Sequence, residues 1–252
     1  MDRLFTITGF DSYLSQDFFP PIELDKTDSY ALGLYSFNVF NSIPNVQLGK
    51  NDLFHFRVMA DVGGKQAANF VITIPEGAYE IDAIEKFIYE ATLDKHKEIL
   101  KDAFVADKFH FSLKPNVCTQ QIVIFASFPI DFKKKNSIGN LLGFENVMIN
   151  AEIESSSNSI VKITAVDVVN IECNIVCGSY INGEPSHTLY SFNPNDVPPG
   201  YKISLRPANV LYLPVNSNYI SNITLRLVDQ ERNIVNFRGE HIVVQLNLRK
   251  FN

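Results

Sequence analysis

Hydrophobic and polar positions alternate in two stretches near the C-terminal end of the chain. Ile223, Leu225 and Leu227 alternate with Thr224 and Arg226, and Ile242, Val244, Leu246 and Leu248 alternate with Val243, Gln245, Asn247 and Arg249. Between them lies the turn-rich Asp229-Gln230-Glu231-Arg232-Asn233. Side chains on a strand point to opposite faces in turn, so this period of two predicts an antiparallel pair with its aliphatic side chains on one face. Full burial of that face is worth on the order of 10 to 20 kcal/mol gross, most of it offset by chain entropy. A second sheet is needed to cover it.

The same period predicts strands at 30–40, 53–60, 69–74, 109–113, 121–128, 160–169, 170–180, 187–192, 201–205 and 209–215. They are separated by turn signals such as Pro75-Glu76-Gly77, Asn182-Gly183-Glu184-Pro185 and Val197-Pro198-Pro199-Gly200. Between 80 and 100 the period changes. Ile81, Ile84, Phe87, Ile88 and Ala91 recur at spacings of three and four among charged residues, which predicts an amphipathic helix with acids first and lysines last and a break near Asp94. Residues 1–28 mix aromatics with acids and carry Pro20-Pro21, a pair that interrupts helices and ladders alike. They read as an extended N-terminal arm whose composition suits a segment that orders on a partner or packs on its own domain. The Ser155-Ser156-Ser157-Asn158-Ser159 tract reads as a loop tip, and Gly63-Gly64-Lys65 as a turn. Many short strands with regular turns imply an all-β chain, a sandwich or barrel, and no boundary divides 29–252.

Composition sharpens this picture. The chain has 252 residues, 46% hydrophobic and 20% charged, with 20 Phe, 10 Tyr and no Trp, a bias that favours pleated, half-buried surfaces. A formal charge of −6 argues against coating nucleic acid through the overall field. Lys133-Lys134-Lys135 reads as a solvated loop, its functional alternative being a nuclear address. The N-terminus lacks a signal-peptide core and no apolar run reaches the ~18 residues of a membrane helix, so the expectation is an intracellularly made chain without a membrane span.

Catalytic patterns are missing. There is no Gly-x-Ser-x-Gly elbow, no phosphate-cradling Gly-x4-Gly-Lys loop and no paired-His helix, so an enzyme is not expected, nor any cofactor or metal. Cys173 and Cys177, on a continuous strand, would stand about 13 Å apart, too far to share an ion. His55, His96, His110, His187 and His241 are scattered and read as surface or edge residues. Asn222-Ile223-Thr224 matches a glycosylation sequon but falls within a strand.

Five segments, taken in order, resemble a known group: Ser137-Ile138-Gly139-Asn140-Leu141-Leu142-Gly143-Phe144, Leu189-Tyr190-Ser191-Phe192, Val197-Pro198-Pro199-Gly200-Tyr201, Leu225-Arg226-Leu227-Val228-Asp229-Gln230 and Phe237-Arg238-Gly239-Glu240. Across roughly residues 30 to 250 the chain is similar to the minor capsid (penton) proteins of Polinton, or Maverick, elements and adintovirus-like agents. The resemblance marks Ser137, Gly139, Leu142, Gly143, Phe144, Pro199, Gly200, Asp229, Phe237 and Gly239 as packing and turn positions. It implies a single jelly roll with the 80–100 helix inserted between strands. It also implies a non-enzymatic vertex subunit that closes as a homopentamer in the virion, beside a double-jelly-roll major capsid protein, with no direct nucleic-acid contact. The alternative from the residues themselves is a jelly-roll carbohydrate- or receptor-binding module. Lack of Trp counts against sugar stacking there, although Tyr and Phe also stack.

Overall fold

The computed structural model describes residues 2–58 and 68–251. It divides the chain into two compact units, one formed by residues 1–43 with 166–252 and the other by residues 44–165. The expectation of one undivided domain over 29–252 is therefore corrected. The second unit, a folded insertion within the first, has a core of its own.

The first unit contains eight principal strands: β1 (Arg3–Gly9), β2 (Tyr13–Glu23), β3 (Ser29–Phe40), β4 (Val169–Cys173), β5 (Thr188–Phe192), β6 (Lys202–Leu205), β7 (Tyr219–Val228) and β8 (Ile242–Phe251). One sheet runs β1-β8-β3-β6, with the short strand Leu213–Pro214 also paired to β3, and the other runs β5-β4-β7-β2. Each neighbouring pair is antiparallel. Every connection except β4 to β5 carries the chain from one sheet to the other. Eight antiparallel strands wound in this order make a jelly-roll sandwich.

The aliphatic stripe of β8 and that of β7 are buried to 1% exposure or less, as their alternation requires. Their pairing differs from the expectation. The two strands are not partners in a hairpin but lie in opposite sheets, β8 between β1 and β3, β7 between β4 and β2. Alternation tells which face of each strand is apolar, and facing one another across a sandwich satisfies both faces as well as lying side by side does.

Of the two readings of residues 1–28, packing on their own domain is the one observed, as two strands of the sheets. Arg3 to Gly9 pair with Leu248 to Ile242, and β2 pairs along β7 from Tyr13–Arg226 to Glu23–Tyr219. Phe5, Ile7 and Leu14 enter the core, which supplies the apolar burial that an isolated arm lacks. Pro20-Pro21 sit at the outer edge of the sheet, where a register shift between Ile220 and Asn222 accommodates them and no ladder donor is lost.

The insertion holds two further sheets. One orders Ala68–Thr73, Leu53–Val58, Ile130–Asp131 and Met148–Ile149, and the other Ser155–Ser156, Gln121–Ala126 and Phe111–Asn116. Helix α1 (Ile81–Leu100) runs unbroken through Asp94 and buries Ile84, Ile88, Thr92 and His96, one residue per turn. Lys101, with φ 47°, stops it. The helix is inserted between β3 and β4 of the jelly roll in chain order, as expected, and packs into the insertion's own core. The expected strand 53–60 is present through Val58, whereas its last two positions and Gly63-Gly64-Lys65 lie outside the described residues. The serine tract is not a loop tip. Ser155–Ser156 pairs with Ile124 and Val123, and the buried Ser157 hydroxyl accepts from the Ile122 amide at 3.1 Å and donates to the Ser159 carbonyl at 2.7 Å. The strand expected over 160–169 begins only at Val169, and that over 209–215 shrinks to Leu213–Pro214.

Candidate functional site

The chemistry begins where the chain leaves the jelly roll. Asn41, buried at the end of β3, donates through Nδ2 to the carbonyls of Pro194 (3.1 Å) and Val197 (2.6 Å). Its backbone carbonyl accepts from the Gly200 amide at 2.7 Å, and its amide donates to the Tyr201 carbonyl at 2.8 Å. Gly200 has φ 82°, a left-handed conformation that suits glycine and that lets Pro199-Gly200 close on Asn41. Next to it, the Ser42 hydroxyl donates to the Phe237 carbonyl, and the Phe237 ring lies 6.5 Å from that of Phe37 in the core. Gly239 (φ 73°) and Arg238 (φ 55°) turn the chain just after it. On the returning side, Asn195 Nδ2 donates to the Val166 carbonyl at 3.1 Å. Pro199, Gly200, Phe237 and Gly239 therefore belong to loops of the jelly-roll unit that surround Asn41, Ser42 and Val166, close to where the chain leaves and re-enters that unit.

The insertion ties its own ends in a similar way. Asn45 donates to the carbonyls of Tyr79 (2.8 Å) and Ile163 (2.9 Å) and accepts from the Tyr79 amide (2.9 Å). Asn41 and Asn45 went unread in the sequence. The available signal was a polar Asn41-Ser42-Ile43-Pro44-Asn45 directly after an apolar strand, which alternation alone treats as a turn.

The 137–144 segment is a packed turn, as expected. The Ser137 hydroxyl accepts from the Gly139 amide at 3.2 Å, and the Gly139 carbonyl accepts from Phe144 at 2.7 Å. A Cβ at Gly139 would meet the Phe144 carbonyl at 2.6 Å and the Phe132 Cβ at 2.8 Å. Gly143 has φ +80°, and a Cβ there would stand 2.3 Å from the Ser159 carbonyl oxygen. Leu142 and Phe144 are fully buried, with Phe144 stacked 5.1 Å from Phe132. These residues lie in the insertion, so the ten marked positions form no single site.

Asp229 caps the turn after β7: its Oδ1 accepts from the amides of Glu231 and Asn233, both at 2.8 Å. That turn aims Arg232 at Glu172, whose carboxylate is buried and bridges Arg232 at 2.9 Å and Arg226 at 3.4 Å. Glu172 sits at a bulge in β4, where alternation breaks and sequence pattern gives no sign of a buried acid.

Beside this ion pair runs an open groove of about 730 Å3 along β4 and β5, flanked by the hairpin Ser179–Ile181 and Glu184–Ser186 and by Leu211. Tyr180 contributes a largely solvent-exposed ring, 68% accessible, and Asn182 stands at the hairpin tip. Asn170 and Ser191 line the groove and are joined by a 2.7 Å hydrogen bond.

Among the described residues no group of three His, Cys, Asp or Glu is placed to hold a metal ion, and no helix is long and apolar enough to cross a membrane. The strand ends at Cys173, so the spacing estimated for a continuous strand does not apply. Cys173 is in the sandwich core, where burial pushes its thiol up to about 12, while Cys177 donates to the Pro214 carbonyl at 3.5 Å. His96 departs from the expected surface position. It is buried, Nδ1 donates to the Thr92 carbonyl at 2.7 Å, and the rings of Phe56, Phe109 and Phe128 surround it at 4.9 to 5.7 Å.

The chain is similar to a solved structure described as the SeMet-labelled mavirus penton protein. The two share 12% identity over the full length of both chains, with a TM-score of 0.48. No protein-family model matches the sequence, and no curated protein matches it.

Proposed function

We propose that this chain is a structural capsid protein, a penton subunit that closes as a homopentamer at the vertices of a virion built from a double-jelly-roll major capsid protein. The observation that carries the reading is the strand order β1-β8-β3-β6 over β5-β4-β7-β2, an arrangement that capsid subunits share with lectins and cupins. The ordered segments that resemble Polinton and adintovirus penton proteins favour the capsid among these. The positions they mark are packing and turn residues, which suits a protein whose task is shape.

A five-fold ring requires one patch on each subunit to meet a different patch on the next. The jelly roll ends in β1 and β2 on one side and in β6 and β5 on the other, which offers two non-identical lateral borders. Leu4, Tyr13 and Phe19 on the first border are exposed, Phe19 completely, and an uncovered aromatic on an edge strand suits a surface that another subunit covers.

Sedimentation or light scattering of the purified chain tests this, followed by co-expression with a double-jelly-roll capsid protein. The expected species has five times the 28.5 kDa chain mass, alone or within particles. Phe19→Asp is expected to reduce assembly while leaving the melting midpoint unchanged. A chain that stays monomeric at high concentration and is absent from particles would overturn the reading.

A further inference from the structure

The groove along β4 and β5 lies beside the β5 border and is lined by none of the residues that bond Asn41, Ser42 or Val166. Its volume of about 730 Å3 falls within the range of small-molecule sites, roughly 300 to 1,000 Å3. Its lining combines an exposed aromatic face with uncommitted polar groups. The Tyr180 and Tyr190 hydroxyls and the Asn182 amide make no hydrogen bond among the described residues. Gln230 uses its Oε1 to accept from the Asp167 amide, leaving its Nε2 hydrogens available. Amides and phenols present donors and acceptors together, the pairing that vicinal hydroxyls of a sugar require, while the Tyr180 ring offers an apolar surface for the C–H face of a pyranose.

Charge decides which sugars suit it. Arg232 is the cation in the lining, and its guanidinium is engaged by Glu172 at 2.9 Å, while Glu231 adds a negative charge. Glu172 is shared with Arg226, so the Arg226–Glu172–Arg232 cluster keeps a net charge of +1 that Glu231 offsets; an anionic sugar finds no unbalanced cation there, whereas a neutral one needs none. We propose that this groove binds a neutral oligosaccharide, a di- or trisaccharide laid across Tyr180 with hydroxyls bonded to Asn182, Tyr190 and Gln230. The site lies wholly within the jelly-roll unit and would equip a vertex subunit for attachment to a glycan-bearing surface, but its chemistry does not depend on assembly.

The test is saturation-transfer NMR on the full chain with lactose, N,N′-diacetylchitobiose and mannobiose as probes, and 3′-sialyllactose as the anionic comparison. At least one neutral disaccharide is expected to receive saturation and to shift amide signals within 179–191. Tyr180→Ala and Asn182→Ala are expected to weaken that binding about tenfold or more. Both residues are solvent-exposed, so the melting midpoint of Tyr180→Ala should match the parent, Asn182→Ala should lower it only by the small cost of an alanine at the left-handed φ of 52°, and in neither case is a loss of binding a loss of fold. No saturation of any neutral probe, unchanged affinity in both variants, or tighter binding of sialyllactose than of lactose each overturns the assignment. Binding by a monomer that never assembles would sustain the groove and sink the vertex reading, and an assembling chain that binds no sugar would do the reverse.

Discussion

The two units build cores by different routes. In the jelly roll the buried set is chiefly aliphatic, with Phe5, Phe37 and Phe237 its buried phenylalanines, and it is drawn from strands far apart in sequence, Arg3 lying opposite Leu248. The insertion packs Phe54, Phe56, Phe109, Phe111, Phe128, Phe132 and Phe144 into one aromatic cluster, built from local pairs such as Leu53–Thr73 and Phe111–Ala126 and lidded by α1. Aliphatic faces suit two sheets about 10 Å apart, whereas the rings of the insertion bury larger areas and meet in the edge-on and tilted pairs that aromatic side chains favour. A core assembled from distant segments also closes only when the whole sandwich does, while local pairs can form first.

The largest effect on either core is expected at β8. Val244→Asp or Leu246→Asp would place an unpaired charge between the sheets and is expected to cost about 4 kcal/mol or more, unfolding the jelly roll. Because the insertion has its own core, the helix signal in circular dichroism should persist with its own melting transition. Joint loss of both would show that the insertion depends on its host.

Phe128→Ala is the converse. Phe128 touches Phe56, Phe109, Phe111 and His96, so its truncation should cost the insertion about 3 to 5 kcal/mol and leave the jelly-roll transition in place. Two transitions moving together in a calorimetric scan would contradict separate cores.

Smaller effects are expected at glycines. Gly143→Ala meets both a φ of +80° and a backbone oxygen at 2.3 Å, for a cost of about 2 to 3 kcal/mol. Gly183→Ala, with φ +86° at the open tip of the hairpin, meets only the conformational penalty of about 1 kcal/mol. Denaturant midpoints of the two variants measure the difference, and equal shifts would remove the steric argument.

The smallest effect separates the units by pH. Burial among aromatic rings lowers the His96 pKa below its ordinary 6.5, against the opposing hydrogen bond to Thr92, and burial acts on His55 in the same direction. The neutral rings are favoured in the folded state, so their contribution is fully present above pH 6.5 and is lost as pH falls from there through the lower folded-state values. The insertion's melting midpoint should drop over that interval, less so in His96→Phe. A midpoint that is flat with pH in the parent would refute the burial of these rings.

Much of the architecture was legible because alternation is a local property. The apolar faces of β7 and β8, the strands around Phe54 and Ile122, and the α1 stripe all follow from side-chain direction in a strand or helix. The packed Ser137–Phe144 turn was legible too, since a glycine-punctuated apolar run fits neither a regular element nor a solvated loop. The groove was not. Tyr180, Asn182, Gln230 and Tyr190 come from a hairpin tip, a turn and a strand, and no spacing in the chain relates them.

By itself the amino-acid order determined which side chains must leave water, since the period of apolar positions sets the buried face of each element whatever lies opposite. What each face meets was settled by the three-dimensional packing. It set β7 and β8 on opposite sheets, drew residues 3–23 into those sheets as edge strands, gave 44–165 a separate core and buried Glu172 between two arginines. Burial is satisfied equally by many partners, and the choice among them rests on chain connectivity, on the closure of both sheets together and on hydrogen bonds such as those of Asn41 and Asn45, which join residues more than a hundred positions apart.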